Sequence, residues 1–269
     1  MKFILIKEGL KKQKNVIKWN APVSILKINK KKNRLLCRPV LYHEKRKYFI
    51  MSKFEAVIFD LDGIITDTAE YHYLAWKQLG EDLGIPFDRK FNETLKGVSR
   101  MDSLERILEL GDRQNEFALE EKEAFATNKN DHYVTLIQDV SPTDILPGIK
   151  QLLVDLRTEG YKIAMASASK NAFAVTESLG LTDFFDYIVD AAKVVNSKPA
   201  PEVFIKAAEA IGVTPEKCIG IEDAAAGVTS INDAGMFSIA IGTDAGLNHA
   251  NIVLRSTEEL TIDVIKNIG

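Results

Sequence analysis

The chain has 269 residues, 46% of them hydrophobic and 27% charged, with a formal net charge of −3. That balance is globular, is large enough for one or two domains with real cores, and gives no whole-chain reason to bind nucleic acid. Two cysteines, Cys37 and Cys218, exclude a disulfide framework and a cysteine-built zinc site, and no apolar run approaches the roughly 20 residues that span a bilayer.

The mean hides a split. Residues 1–50 carry 15 of the 35 Lys+Arg and 2 of the 38 Asp+Glu, a net of +13, which leaves 20 and 36, a net of −16, for residues 51–269. Segments so different are not expected to share one core. The first fifty residues read as a basic extension, open to three accounts: a disordered or loosely docked arm, a basic arm for RNA or anionic lipid, or the product of an upstream start with the working protein beginning at Met51. The Phe3-Ile4-Leu5-Ile6 run is too short for a secretory core.

From Met51 the elements follow in order. Phe54 to Phe59 is a short apolar run ending in Asp60, which predicts a buried strand. Asp62-Gly63 follows, then a helix over 68–83 with apolar residues at helical spacing and Thr68 as its N-cap. From about 92 to 138 the chain is charge-laced and helical. Leu104, Ile107 and Leu108 form one apolar face, and Phe117, Leu119, Phe125 and Ala126 another; Gly97, Gly111 and Asn130 punctuate it. After Leu146-Pro147-Gly148, helix and strand alternate. Strands are expected at 162–166, 187–189, 217–221 and 237–241, and helices at 149–156, 172–179, 201–211 and 227–234. Such alternation means an α/β fold with a parallel sheet and helices on both faces. One strand precedes the helical block and the rest follow it, so the block reads as an inserted helical cap at 68–139 on a core of 51–67 and 140–269.

Three predicted strands end in polar residues of one kind: Asp60 and Asp62, then Ser167, then Glu222 and Asp223. In a parallel sheet these ends share one edge, where ligands bind. Four carboxylates gathered there cannot all stay ionised unpaired. A divalent cation removes the conflict, and an all-oxygen set suits Mg²⁺. Lys198 adds a positive charge. Taken singly, Asp62-Gly63 could be a hairpin turn, Glu222-Asp223 a helix cap and Lys198 a solvated lysine; their conjunction in one order is what points to a site.

Asp60-Leu61-Asp62-Gly63, Ser167, Lys198-Pro199 and Glu222-Asp223 together resemble the four motifs of the haloacid dehalogenase superfamily of phosphotransferases. Further segments, 67–72, 95–100, 129–131, 166–171 and 197–201, are similar to its sugar-phosphate mutases. The resemblance covers about 54–269. It implies a Rossmann-like core with an inserted cap, Asp60 as nucleophile, Asp62 as general acid/base, and Mg²⁺ held by Asp60, the Asp62 carbonyl, Asp223 and Glu222. It implies that Ser167 and Ala168 bind the transferring phosphoryl group and that Lys198 neutralises charge. A mutase also needs a second phosphate seat, which Arg100 suits because a guanidinium grips phosphate bidentately, with Ser169, Lys170 and Asn171 sharing the load. Lys96, Gly97 and Ser99 would contact the sugar or align Arg100, His72 and Lys129 would position Asp62, and Trp76 would pack the lid or meet the sugar. Asp67 and Thr68 are hinge candidates. The expected partner is a small-molecule sugar phosphate, with neither nucleic acid nor membrane, and the expected state is a cytoplasmic monomer. A phosphatase with the same core is the competing expectation. A dead regulatory module is disfavoured because every motif residue is present. One departure stands out: the superfamily commonly has a serine after the Glu-Asp pair, and here it is Ala224.

Overall fold

The computed structural model describes residues 53–268; the expectations for residues 1–50 and for Met51 lie outside them. In chain order the elements are β1 (Ala56–Phe59), α1 (Ala69–Asp82), α2 (Arg89–Asn92), α3 (Arg100–Leu110), α4 (Leu119–Leu136), α5 (Ile149–Glu159), β2 (Lys162–Met165), α6 (Ala172–Ser178), β3 (Tyr187–Ile188), α7 (Glu202–Ala210), β4 (Cys218–Glu222), α8 (Ala225–Asp233), β5 (Phe237–Ile241), β6 (Ile252–Leu254) and α9 (Ile262–Asn267). No helix among the described residues is long and apolar enough to cross a membrane.

The strands form one parallel sheet in the order β3-β2-β1-β4-β5-β6. The chain winds outward from β1 in one direction, then returns to the far side of β1 at β4. The crevice outside the carboxyl ends of β1 and β4 is therefore the topological switch point, where open α/β sheets bind ligands. Alternation along β1 divides the core in two. Val57 and Phe59 join Leu152, Leu156 and Ile265 on one face, and Ala56 and Ile58 join Phe204, Ala207 and Ile231 on the other. That is why β1 reads as an unbroken apolar run rather than an alternating one. The helices α1 to α4 hold a core of their own, built on Tyr73, Trp76, Leu79, Leu104, Ile107 and Leu108.

Three expectations change. Leu119, expected on an apolar face, is the first residue of α4 and is 61% exposed; Phe117 lies before the helix, edge-on to Phe125 at 5.0 Å. Asn130, expected as punctuation, sits inside α4, because an asparagine costs a helix well under 1 kcal/mol and its side chain here has partners. β6 and α9, three and six residues long, are too short for any periodicity to reveal.

Gly220 sits mid-strand in β4, and a Cβ there would stand 2.7 Å from Cγ1 and Cγ2 of Ile231. The α8 helix thus seats directly on the β4 backbone. Gly220→Ala should destabilise the protein by about 1–3 kcal/mol, read as a fall of several degrees in Tm by calorimetry, with Ile231→Ala restoring part of it. An unchanged Tm would contradict this packing.

Candidate active site

The switch point gathers the strand-terminal acids. Asp60 follows β1, and Glu222 ends β4 with Asp223 next to it. Lys198 is buried between them, its Nζ donating at 2.6 Å to Asp60 Oδ1 and at 2.6 Å to Glu222 Oε1. Burial opposes the ammonium charge, but Asp60 and Glu222 outweigh it and hold the lysine above its ordinary range. The other Glu222 oxygen accepts the main-chain N–H groups of Asp223 and Ala224, each at 2.7 Å. Glu222 thus braces both Lys198 and the turn that presents Asp223, with three donors on its about four acceptor positions. Gly227, in the first turn of α8, leaves it room: a Cβ there would stand 1.8 Å from Glu222 Oε1.

Oxygens of Asp60, Glu222 and Asp223 lie within 4.8 Å of one another. This all-carboxylate donor set fits a hard divalent cation. Gly63 is required twice over at this point. Its φ is +73°, and a Cβ would stand 2.3 Å from Asp223 Oδ2. Burial, then the neighbouring Glu222 and Asp60 charges, push the Asp223 carboxyl well above its ordinary range. Burial also raises Asp60, to about 6, with Lys198 pulling the other way.

Asp62 turns away from the acid cluster toward the helical layer. Its Oδ1 accepts from the Thr68 hydroxyl. Thr68 occupies the N-cap position of α1 as expected, but its side chain caps no main-chain group; the tertiary partner has displaced the local one. Burial, then the Asp60 charge, raise Asp62 to about 8, so it carries a proton at neutral pH. His72 Nε2 lies 4.0 Å from Asp62 Oδ2, and His72 Nδ1 lies 2.7 Å from Lys129 Nζ. When Lys129 is charged, Nδ1 must accept, which leaves the ring proton on Nε2, facing Asp62. Burial and the nearby Lys129 and Arg100 charges keep His72 neutral, well below its ordinary pKa. The ring stacks on Tyr133 at 4.0 Å. Lys129 lies over Trp76 at 4.7 Å and Tyr133 at 4.9 Å, and burial, then Arg100, lower it to about 7.

One cleft of about 820 Å³, open to solvent at its mouth, joins these groups. Its sheet-side wall carries Asp60, Asp62, Asp223, Ser167, Ala168, Ser169 and Lys170. Its helical wall carries His72, Trp76, Lys96, Gly97, Arg100 and Lys129. Ser167 Oγ accepts from Ser169 N at 3.0 Å, and Ser169 Oγ from Asn171 N at 3.2 Å, two successive turns that shape the loop after β2. Lys96 pairs with Glu93 at 2.8 Å. Gly97, at φ +72°, brings the helical layer's loop against Lys198 and Ala224. Glu222, Lys198, Asn171, Ser99, Asp67 and Thr68 are not on this cleft's lining. Ser99 instead caps α3, its Oγ accepting from Asp102 N at 3.2 Å, and so sets the first residue of that helix, Arg100. Sequence reasoning gave no site role to Asn130, read as punctuation and as part of the matched segment 129–131; its Oδ1 accepts from Arg100 Nη2 at 2.7 Å and from Asn171 Nδ2 at 2.9 Å. No local pattern marks an acceptor in the middle of a helix.

The raised carboxyl groups make a pH prediction. Groups whose folded pKa exceeds the ordinary 3.8 bind protons more tightly when folded, so the stability they contribute is lost as pH rises from about 4 through the folded values of about 6 and 8. A divalent cation binds the deprotonated forms of Asp60 and Asp223 and reverses their share of the loss. Saturating Mg²⁺ should therefore stabilise the protein more at pH 8 than at pH 5, by up to about 3 kcal/mol at a hundredfold excess over Kd, read as the larger rise in Tm. Equal shifts at both pH values would contradict a carboxylate-held cation.

The description haloacid dehalogenase-like hydrolase matches residues 54–235. The chain is 46% identical to the β-phosphoglucomutase of Bacillus subtilis over 211 residues, 78% of this chain and 93% of that one. A crystal structure of β-phosphoglucomutase from Clostridium difficile superposes with a TM-score of 0.78 at 51% identity, covering 80% of this chain and 96% of the other. A phosphorylated carbohydrates phosphatase of Thermotoga maritima is 26% identical over 80% of this chain and 99% of its own. With the acids at the switch point, Lys198 between them and helices inserted after β1, the chain belongs to the haloacid dehalogenase-like hydrolase family.

Proposed function

We propose that the protein is a β-phosphoglucomutase, interconverting β-D-glucose 1-phosphate and D-glucose 6-phosphate through a phospho-aspartate at Asp60 and β-glucose 1,6-bisphosphate. Beside the 46% identity to a β-phosphoglucomutase, one observation carries this reading. The same cleft offers a braced carboxylate on the sheet side and a guanidinium, Arg100, on the helical side. A phosphatase needs one phosphate seat; a mutase that turns a bisphosphate over needs two.

Phosphorylated Asp60 gives its phosphoryl group to the C6 oxygen of glucose 1-phosphate, whose hydroxyl proton passes to Asp62, and the 1,6-bisphosphate forms. With the bisphosphate reversed in the cleft, Asp60 Oδ attacks the C1 phosphorus, the bond from phosphorus to the C1 oxygen breaks, and that oxygen takes the proton from Asp62. Asp62 is suited to both, because burial keeps it protonated near neutrality and Thr68 fixes its orientation. Lys198 holds Asp60 in place and offsets charge on the phosphoryl oxygens, and Ser167 with the Ala168 amide cradles those oxygens. Asp60, Asp223 and the Asp62 main-chain carbonyl, with Glu222 direct or through water, would hold Mg²⁺, which would supply positive charge to offset the repulsion between nucleophile and phosphoryl group. His72 and Lys129 orient Asp62, and Lys96, Gly97 and Trp76 meet the sugar.

Residues 68–139 act as a cap that excludes water from the phospho-aspartate. The two chain crossings lie side by side, with Leu146 N bonded to Ile65 O at 2.9 Å and Thr66 Oγ1 to Asp144 O at 2.8 Å. The adjacent Asp67-Thr68 and the stretch near Asp139 are then the hinge.

Supplied with β-glucose 1-phosphate, Mg²⁺ and a trace of the 1,6-bisphosphate, the enzyme should form glucose 6-phosphate with little inorganic phosphate. Phosphate release without the isomer would favour a phosphatase. Arg100→Ala should lower isomerisation at least about tenfold more than it lowers phosphorylation of Asp60 by acetyl phosphate. Equal loss of both would count against the second-phosphate role.

A further inference from the structure

Arg100 faces the cleft in the grip of a neutral group. Its Nη2 donates to Asn130 Oδ1 at 2.7 Å, and Asn171 Nδ2 donates to the same oxygen at 2.9 Å. An amide oxygen has two lone pairs, so this acceptor is saturated by one donor from α3 and one from the loop after β2. Asn171 stands at the N-cap position of α6, yet its side chain caps nothing there. Arg100 is therefore joined to the loop after β2 through Asn130. Burial disfavours the guanidinium charge, the Asp131 carboxylate pulls the other way, and Lys129, next to Asn130, is a like charge beside it.

We propose that Asn130 is a positioning residue whose carbonyl oxygen stands in for an oxygen of the substrate's distal phosphate, holding Arg100 and Asn171 converged on one point until a phosphate displaces it. This rests on Arg100 being the second phosphate seat. The chemistry explains why the position carries an amide. Hydrogen bonds to an ionised acceptor are about twice as strong as those to a neutral one, so a phosphate dianion outcompetes the amide. A carboxylate at 130 would pair with Arg100 and compete with the substrate. An aliphatic side chain would leave the two donors unaligned but free.

The two substitutions separate positioning from packing, because the near-isosteric one should be the more harmful. Asn130→Asp should raise KM for β-glucose 1-phosphate at least about tenfold, more than Asn130→Ala does, with kcat changed less than KM in both. A purely structural role predicts the reverse order, with Asn130→Ala the worse and a matching fall in Tm. That reverse order, or a loss confined to kcat, would overturn the proposal. Product analysis on the unaltered enzyme keeps the two readings apart. Inorganic phosphate as the product would overturn the mutase reading, while the order of the two variants in glucose 6-phosphate affinity, measured by calorimetry, still decides the role of Asn130.

Discussion

The structure turns on a buried ammonium between two carboxylates. Lys198 Nζ lies 2.6 Å from both Asp60 and Glu222, at the one place where the winding of the sheet changes direction. Removing one partner from such a group leaves an uncompensated buried charge, at a cost of about 3–5 kcal/mol. The neighbouring geometry is fitted around it. Glu222 also accepts two main-chain N–H groups, which fixes the turn carrying Asp223, and Gly227 gives that carboxylate its space. Gly63 gives Asp223 the same freedom from the side of β1. Two strands, two turns and one lysine thus hold three carboxylates close together, an arrangement that a cation stabilises.

Asp62 shows how two carboxylates two residues apart are given different chemistry. Asp60 is ion-paired, and burial lifts it only to about 6, whereas Asp62 has no lysine in contact, feels the Asp60 charge and rises to about 8. One is suited to attack and the other to carry a proton. Thr68, His72 and Lys129, which set the surroundings of Asp62, all come from the helical layer. The surroundings of Asp62 are complete only where that layer meets the sheet, so in the proposed mechanism proton transfer and the exclusion of water depend on the same contact.

Much of this is legible in the sequence because it is local. An apolar run that stops at Asp60, another that stops near Ser167 and a third at Glu222-Asp223 announce strand ends, and parallel topology brings strand ends together. The helical insertion is legible because one strand stands apart from the rest. What escapes is set by tertiary partners. Thr68 looks like an N-cap, but its hydroxyl finds Asp62. Asn130 looks like a helix breaker, but it bridges Arg100 and Asn171. Glu222 reads as a metal-binding acid or part of a helix cap, but its oxygens already have three donors. Polar side chains within an element give no periodic signal of the group they meet across a cleft.

The proposed chemistry rests on a covalent bond between phosphorus and the side chain of residue 60. Treating the enzyme with acetyl phosphate and Mg²⁺, quenching in acid and mapping the peptides by mass spectrometry tests this directly. An acyl phosphate on the peptide bearing Asp60, absent from Asp60→Asn together with all isomerisation, is the result expected. Phosphate on another residue, or an Asp60→Asn enzyme that still interconverts the two glucose phosphates, would contradict it.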